Sequence, residues 1–125
     1  MGKNDVSVSA AKNQLGHNKI VGTSCYNQLD LAMQAQKDGA DYIAFGAFFS
    51  SLTKPNAVSV SISLVNQAQK ALSIPIVGIG GIQLTNARTV IQSGCAAIAV
   101  CHDLFQAENI KATAEHYVQL FAETM

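Results

Sequence analysis

Ser51-Leu52-Thr53-Lys54 places two hydroxyls and an ammonium within four consecutive residues. Hydroxyls bind anionic oxygens, and a lysine neutralises charge growing on a departing pyrophosphate. A solvated surface loop also favours these residue types. A second cluster is Ile79-Gly80-Gly81, where an apolar run ends in paired glycines. Glycine lets backbone N–H groups approach a phosphate closely, though a plain tight turn uses it as well. Val100-Cys101-His102 ends another apolar run, with a helical pattern behind it that can aim its N-terminus at the same anion. The plain alternative there is a helix cap.

Single residues add less. Ser24 ends a short apolar run and either faces a ligand or bonds its own loop. Asp5 is either a Mg²⁺ ligand or a surface carboxylate, and Mg²⁺ held mainly through phosphates needs only one or two carboxylates. No Asp or Cys is spaced to build a triad with His102, and His17 and His116 read as surface residues. Cys101 reads as a small residue at the core edge rather than a nucleophile. Cys25, Cys95 and Cys101 are odd in number and lack CxxC spacing, which argues against a disulfide framework or zinc site. A reducing, cytoplasmic setting is expected.

The elements that must position these clusters alternate strand and helix. Strands are predicted at 19–24, 41–45, 76–79 and 96–100, around the apolar runs Ile20–Val21, Tyr42–Phe45, Ile76–Ile79 and Ala97–Val100, each running into a polar or glycine cluster. Such runs imply parallel strands buried on both faces, with ligands at their C-terminal ends. A short helix over 9–15 ends at Gly16. Asn27 is placed to cap the next helix, with Leu29, Ala32, Met33 and Gln36 on one face and Gly39 closing it. Residues 48–60 form the longest irregular stretch, a length more often functional than idle. A helix from about Ser61 puts Ile62, Val65, Ala68 and Leu72 in one stripe, and Ser73-Ile74-Pro75 breaks it. Thr85 or Asn86 opens another, with Ala87, Val90 and Ile91 inward and Gly94 at its end. Asp103 or Glu108 introduces C-terminal helix in which Ala112, Tyr117, Leu120 and Phe121 pack.

The strand spacing fits α/β architecture of the (β/α)₈ TIM-barrel type, where about 250 residues make eight units. About four βα units fit 125 residues, so residues 1–125 are expected to form a single partial TIM-barrel domain. Charged residues make up 13% of the chain, about half the usual share of roughly 25%, and the net charge is zero. So small a charged surface suggests self-association or a missing partner surface. The absence of a basic stripe argues against nucleic acid. No apolar run reaches the ~18 residues of a membrane span, and the polar N-terminus lacks a signal-peptide core.

Gly22-Thr23-Ser24-Cys25-Tyr26-Asn27, then Gly39-Ala40-Asp41-Tyr42-Ile43-Ala44-Phe45-Gly46, then Phe48-Phe49-Ser50-Ser51-Leu52-Thr53-Lys54-Pro55, then Pro75-Ile76-Val77-Gly78-Ile79-Gly80-Gly81-Ile82 follow one another in an order that resembles the thiamine-phosphate synthase family. The resemblance spans nearly the whole chain but only the C-terminal portion of the family's barrel. It implies thiamine biosynthesis: a transferase joining hydroxymethylpyrimidine diphosphate to hydroxyethylthiazole phosphate, releasing pyrophosphate with Mg²⁺ present. Asp5, within Gly2-Lys3-Asn4-Asp5, matches a family Mg²⁺ ligand. Ser24 and Lys54 match contacts to the pyrimidine diphosphate, and Lys54 is the implied catalytic cation at the leaving group. Ser51, Leu52, Thr53, Gly81, Cys101 and His102 match contacts to the thiazole phosphate.

Several positions depart from the family pattern. The family usually carries Thr at the Ser51 position and Ser where His102 stands. Ser50 replaces a frequent Pro, and Ala47 a larger residue. The Gln-x-Arg-x-x-x-Lys and Asn-Asp motifs of the first three strands are missing from this chain. The resemblance therefore implies that activity needs a complementing N-terminal half. The alternative is a non-catalytic, phosphate-binding half-barrel whose open edges are covered by homodimerisation. A related thiazole tautomerase-like barrel fits less well, since that relative has His where Ala47 stands and lacks the Thr-x-Thr-Lys pattern.

Overall fold

The computed structural model describes residues 2, 7–16, 18–49 and 60–124. Its elements run α1 (Val8–Leu15), β1 (Gly22–Tyr26), α2 (Leu29–Lys37), β2 (Tyr42–Phe45), α3 (Ile62–Ala71), β3 (Ile76–Ile79), α4 (Ala87–Gln92), β4 (Ala97–Ala99), α5 (His102–Phe105) and α6 (Ile110–Thr124). The strands form one parallel sheet in the order β1-β2-β3-β4. Each strand is followed by helix, as the apolar runs and helical stripes predict.

Local chemistry explains several boundaries. The Ser7 hydroxyl accepts from Ala10 N–H at 3.2 Å and starts α1, while Gly16 at φ +94° ends it. The Ser61 hydroxyl accepts from Leu64 N–H at 3.1 Å and starts α3, as its position suggests. Asn109, rather than Asp103 or Glu108, caps the long C-terminal helix by accepting from Ala112 N–H at 3.0 Å. Asn27 does not cap α2; Gln28 holds that place and makes no side-chain cap bond.

Strand β1 lies later than the predicted 19–24. The Asp41 carboxylate accepts from Val21 N–H at 2.7 Å and from Lys12 Nζ at 2.6 Å, and Lys12 Nζ also reaches Lys19 O at 2.8 Å. These bonds pin residues 19–21 at the sheet's N-terminal end, and Ile20 stays 78% exposed. In α2 Ala32 and Ala35 are buried and Leu29 packs against the core beside them, while Met33, expected on the inward face, is half exposed.

Two side-chain rows separate the faces of the sheet. Thr23, Ile43 and Ile76 form one register row, and Phe45, Gly78 and Ile98 the next on the same side. Ile43, Phe45 and Ile76 are buried there. A Cβ on Gly78 would stand 2.6 Å from Val90 Cγ1, so this face packs directly on α4. Val65, Ala68, Ala87 and Val90 complete the core at 0% exposure.

The opposite face carries Ser24, Ala44, Val77 and Ala97 in register, with Tyr42, Ile79 and Ala99 beside them. Ala44 is buried, but Val77 and Ile79 are only partly covered and Tyr42, Ala97 and Ala99 are exposed. This corrects the expectation of burial on both faces: among the described residues, the second face is covered only in part. The physical reason is geometric. In a closed barrel that face points inward and is covered by the strands opposite.

Candidate functional site

The C-terminal ends of β2 and β3 are fastened to each other by backbone. Phe48 N–H donates to Ile79 O at 3.1 Å, and Phe49 N–H donates to Gly80 O at 3.2 Å. Gly46 N–H reaches Tyr26 O at the end of β1 at 3.1 Å, and Val60 N–H returns to Ala47 O at 3.1 Å. Residues 46–49 after β2 and the Gly80-Gly81 turn after β3 are therefore adjoining parts of one surface.

That fit requires glycine. Gly80 and Gly81 both have left-handed backbone, at φ +92° and +69°. A Cβ on Gly80 would meet Ala47 Cβ at 2.5 Å, and one on Gly81 would meet Phe49 O at 2.6 Å. The small side chain of Ala47, a departure from the family pattern, lies directly against Gly80. The Phe48 and Phe49 rings lie with centroids 6.4 Å apart and tilted by 43°.

Asn86 adds a feature that the sequence reading treats only as a helix start. Its Nδ2 donates to Gly81 O at 3.1 Å and its Oδ1 accepts from Gln83 N–H at 2.8 Å. It occupies the N-cap position of α4 but makes no cap bond to that helix. The available signal was an Asn a few residues beyond paired glycines, a spacing that also suits an ordinary cap.

At the fourth strand, Cys101 and His102 are exposed where α5 begins. Asp103 in α5 accepts from the hydroxyl of Tyr117, the buried residue of α6. Ser24 is half-buried within β1 rather than at its end, because the strand continues to Tyr26. Gly81 sits on the fastened turn. Asp5, Ser51, Leu52, Thr53 and Lys54 lie outside the described residues.

Titratable groups sharpen what the described part can do. Burial pushes the Cys25 thiol up to about 11 and raises that of Cys95 as well, so both are protonated and inert near neutral pH. Among the described residues, no group of three or more His, Cys, Asp or Glu is placed to hold a metal ion. A polar depression lined by Asn27, Ser61, Ser63, Leu64 and Gln67 lies near the start of α3 and shares no residue with the clusters. Among the described residues no helix is long and apolar enough to cross a membrane.

Comparison with known proteins points the same way. A family model described as thiamine monophosphate synthase matches residues 1–104. The thiamine-phosphate synthase of Nitrosomonas eutropha is 53% identical over 121 residues, covering 97% of this chain and 57% of that protein. That of Nitrosospira multiformis is 47% identical over 121 residues, covering 97% of this chain and 52% of that protein. Among solved structures, a thiamine phosphate pyrophosphorylase from Pyrococcus furiosus superposes with a TM-score of 0.88 at 31% identity, covering 100% of this chain and 59% of that one. The chain thus spans between half and three-fifths of the length of these relatives.

Proposed function

Because the chain belongs to the thiamine monophosphate synthase family, we propose that it forms the C-terminal, thiazole-phosphate-binding part of a thiamine-phosphate synthase. The observation that carries this reading is the backbone fastening of Phe48 and Phe49 to Ile79 and Gly80. It occupies the carbonyls of a two-glycine turn at the C-terminal end of a parallel sheet, where phosphate sites of this architecture gather. Gly81 then offers backbone N–H to the thiazole phosphate, with Cys101 and His102 contributing from the next strand end. Ser51, Leu52 and Thr53 supply further donors. Ser24 and Lys54 contact the pyrimidine diphosphate, and the Lys54 ammonium stabilises the departing pyrophosphate as its C–O bond breaks. Asp5 contributes one carboxylate to Mg²⁺, whose chemistry when bound is to neutralise diphosphate oxygens. The site of action is the cytoplasm.

The partly covered sheet face bears on the partner. Parallel sheets are stable when both faces are covered, and Tyr42, Ala97 and Ala99 are exposed here. In this reading a complementing N-terminal half covers that face and brings the remaining diphosphate contacts. Mixing the chain with the N-terminal half of a family synthase, both substrates and Mg²⁺ should release pyrophosphate. No release from a folded, associated mixture overturns the catalytic reading. The same exposed face favours one second reading, a self-associating, phosphate-binding half-barrel. Light scattering at micromolar concentration would then show a dimer, and a monodisperse monomer excludes it.

A further inference from the structure

We infer that Asn86 is a positioning residue for the phosphate-binding turn, acting through the Gly81 carbonyl on the backbone N–H of Ile82. The inference rests on the reading of that turn as the thiazole-phosphate site. In a trans peptide the C=O of one residue and the N–H of the next point in opposite directions. Three successive carbonyls are occupied here. Ile79 O accepts from Phe48 N–H and Gly80 O from Phe49 N–H. Gly81 O accepts from Asn86 Nδ2. The N–H groups of Gly80, Gly81 and Ile82 are consequently turned away from these fastenings. The first two peptides are held by the backbone of the loop after β2. The third is held by a side chain, and that side chain is Asn86.

The Asn86 amide is itself fixed at both ends. Its Oδ1 accepts from Gln83 N–H at 2.8 Å while its Nδ2 donates to Gly81 O at 3.1 Å. Exchanging the two atoms would set carbonyl against carbonyl and N–H against N–H, so its orientation is unique. An Asn at an N-cap position ordinarily accepts from its own helix. Asn86 makes no such bond and reaches back to the turn. Its side chain serves the turn rather than α4.

Two variants separate these roles. Asn86→Asp keeps the acceptor for Gln83 N–H and loses the donor to Gly81 O, whereas Asn86→Ala loses both. Hydroxyethylthiazole phosphate titrated into the full chain, followed by the ¹⁵N amide resonances of Gly80, Gly81 and Ile82, reads binding and turn geometry together. The expected result is binding at least roughly 5- to 10-fold weaker in both variants, the equilibrium factor of the lost bond to Gly81 O, with charge repulsion added in Asn86→Asp. The Ile82 amide should shift in the ligand-free Asn86→Asp protein while those of Val90 and Ile91 in α4 stay in place. Wild-type affinity in a folded Asn86→Asp protein overturns the inference and leaves the proposed function standing. A wild-type chain that shows no response to the ligand overturns both. Because Asn86→Asp preserves the bond to Gln83, it decides the outcome if Asn86→Ala fails to fold.

Discussion

The Tyr117 hydroxyl of α6 donates to the Asp103 carboxylate of α5. Tyr117 is 7% exposed and is the buried residue of α6, so this bond joins the C-terminal helix to the short helix that carries His102. Burial, then the bond to Asp103, then the charge of Asp103 push the phenol above its ordinary value of 10.0. A raised folded value contributes stability that is complete below the ordinary value and lost as pH rises through the folded one. Tyr117→Phe should lower stability by about 1 kcal/mol at pH 8. It should also lose part of the wild type's decline above pH 10, as thermal unfolding across that range would show. A wild-type melting temperature at pH 8 would mean that the bond contributes nothing.

Asp41 makes the opposite pH prediction. The bond from Lys12, and after it the Val21 N–H, holds the carboxyl below its ordinary value of 3.8. The resulting stability is present above that value and is lost as pH falls through the depressed one. Asp41→Asn should melt below the wild type at pH 7, and the difference should close in acid. A gap that persists at acid pH would assign the effect to packing rather than charge.

Thiol labelling tests the placement of the cysteines. Cys101 is exposed, whereas Cys25 and Cys95 are buried with raised thiol values. An aromatic disulfide reagent at pH 8 should modify Cys101 quickly and the other two only on unfolding. If Cys101 adjoins the phosphate site, hydroxyethylthiazole phosphate should slow that modification. Rapid reaction of all three thiols in the native chain would contradict the burial of β1 and the segment before β4.

Two glycines with left-handed backbone should respond differently to alanine. At Gly81 a Cβ would meet Phe49 O at 2.6 Å, while at Gly39 it would meet nothing within 4 Å. Both substitutions cost about 1 kcal/mol of backbone strain. Gly81→Ala must also part the two loops, so it should be the more destabilising and should abolish thiazole-phosphate binding. Gly39→Ala should leave binding unchanged. Equal melting temperatures for the two, measured by circular dichroism, would show that the loops do not close as described.

The legible part of this protein was local. Apolar runs at Ile76–Ile79 and Tyr42–Phe45, followed by helical stripes such as Val65, Ala68 and Leu72, carry their own period and therefore their own element type. The glycine pair at 80 and 81 announced a turn with left-handed backbone, and ordered motifs were enough to indicate the family. Lys54 and its hydroxyl neighbours, legible as chemistry, lie outside the described residues, so their roles still rest on sequence.

What local pattern did not contain were bonds between residues distant along the chain. The Asp41 carboxylate displaced β1 towards Tyr26 by taking the Val21 N–H, a contact that no periodicity marks. Asn86 looked like a cap because capping depends on residue type and position, whereas its actual partner, Gly81 O, depends on how the turn folds back. Residues 46–49 after β2 and the glycine turn after β3 became one surface only through the bonds of Phe48 and Phe49 to Ile79 and Gly80. Residue types and spacing thus set which groups could meet an anion. Hydrogen-bond closure between separate loops, which depends on three-dimensional approach, set which of those groups adjoin and what holds them.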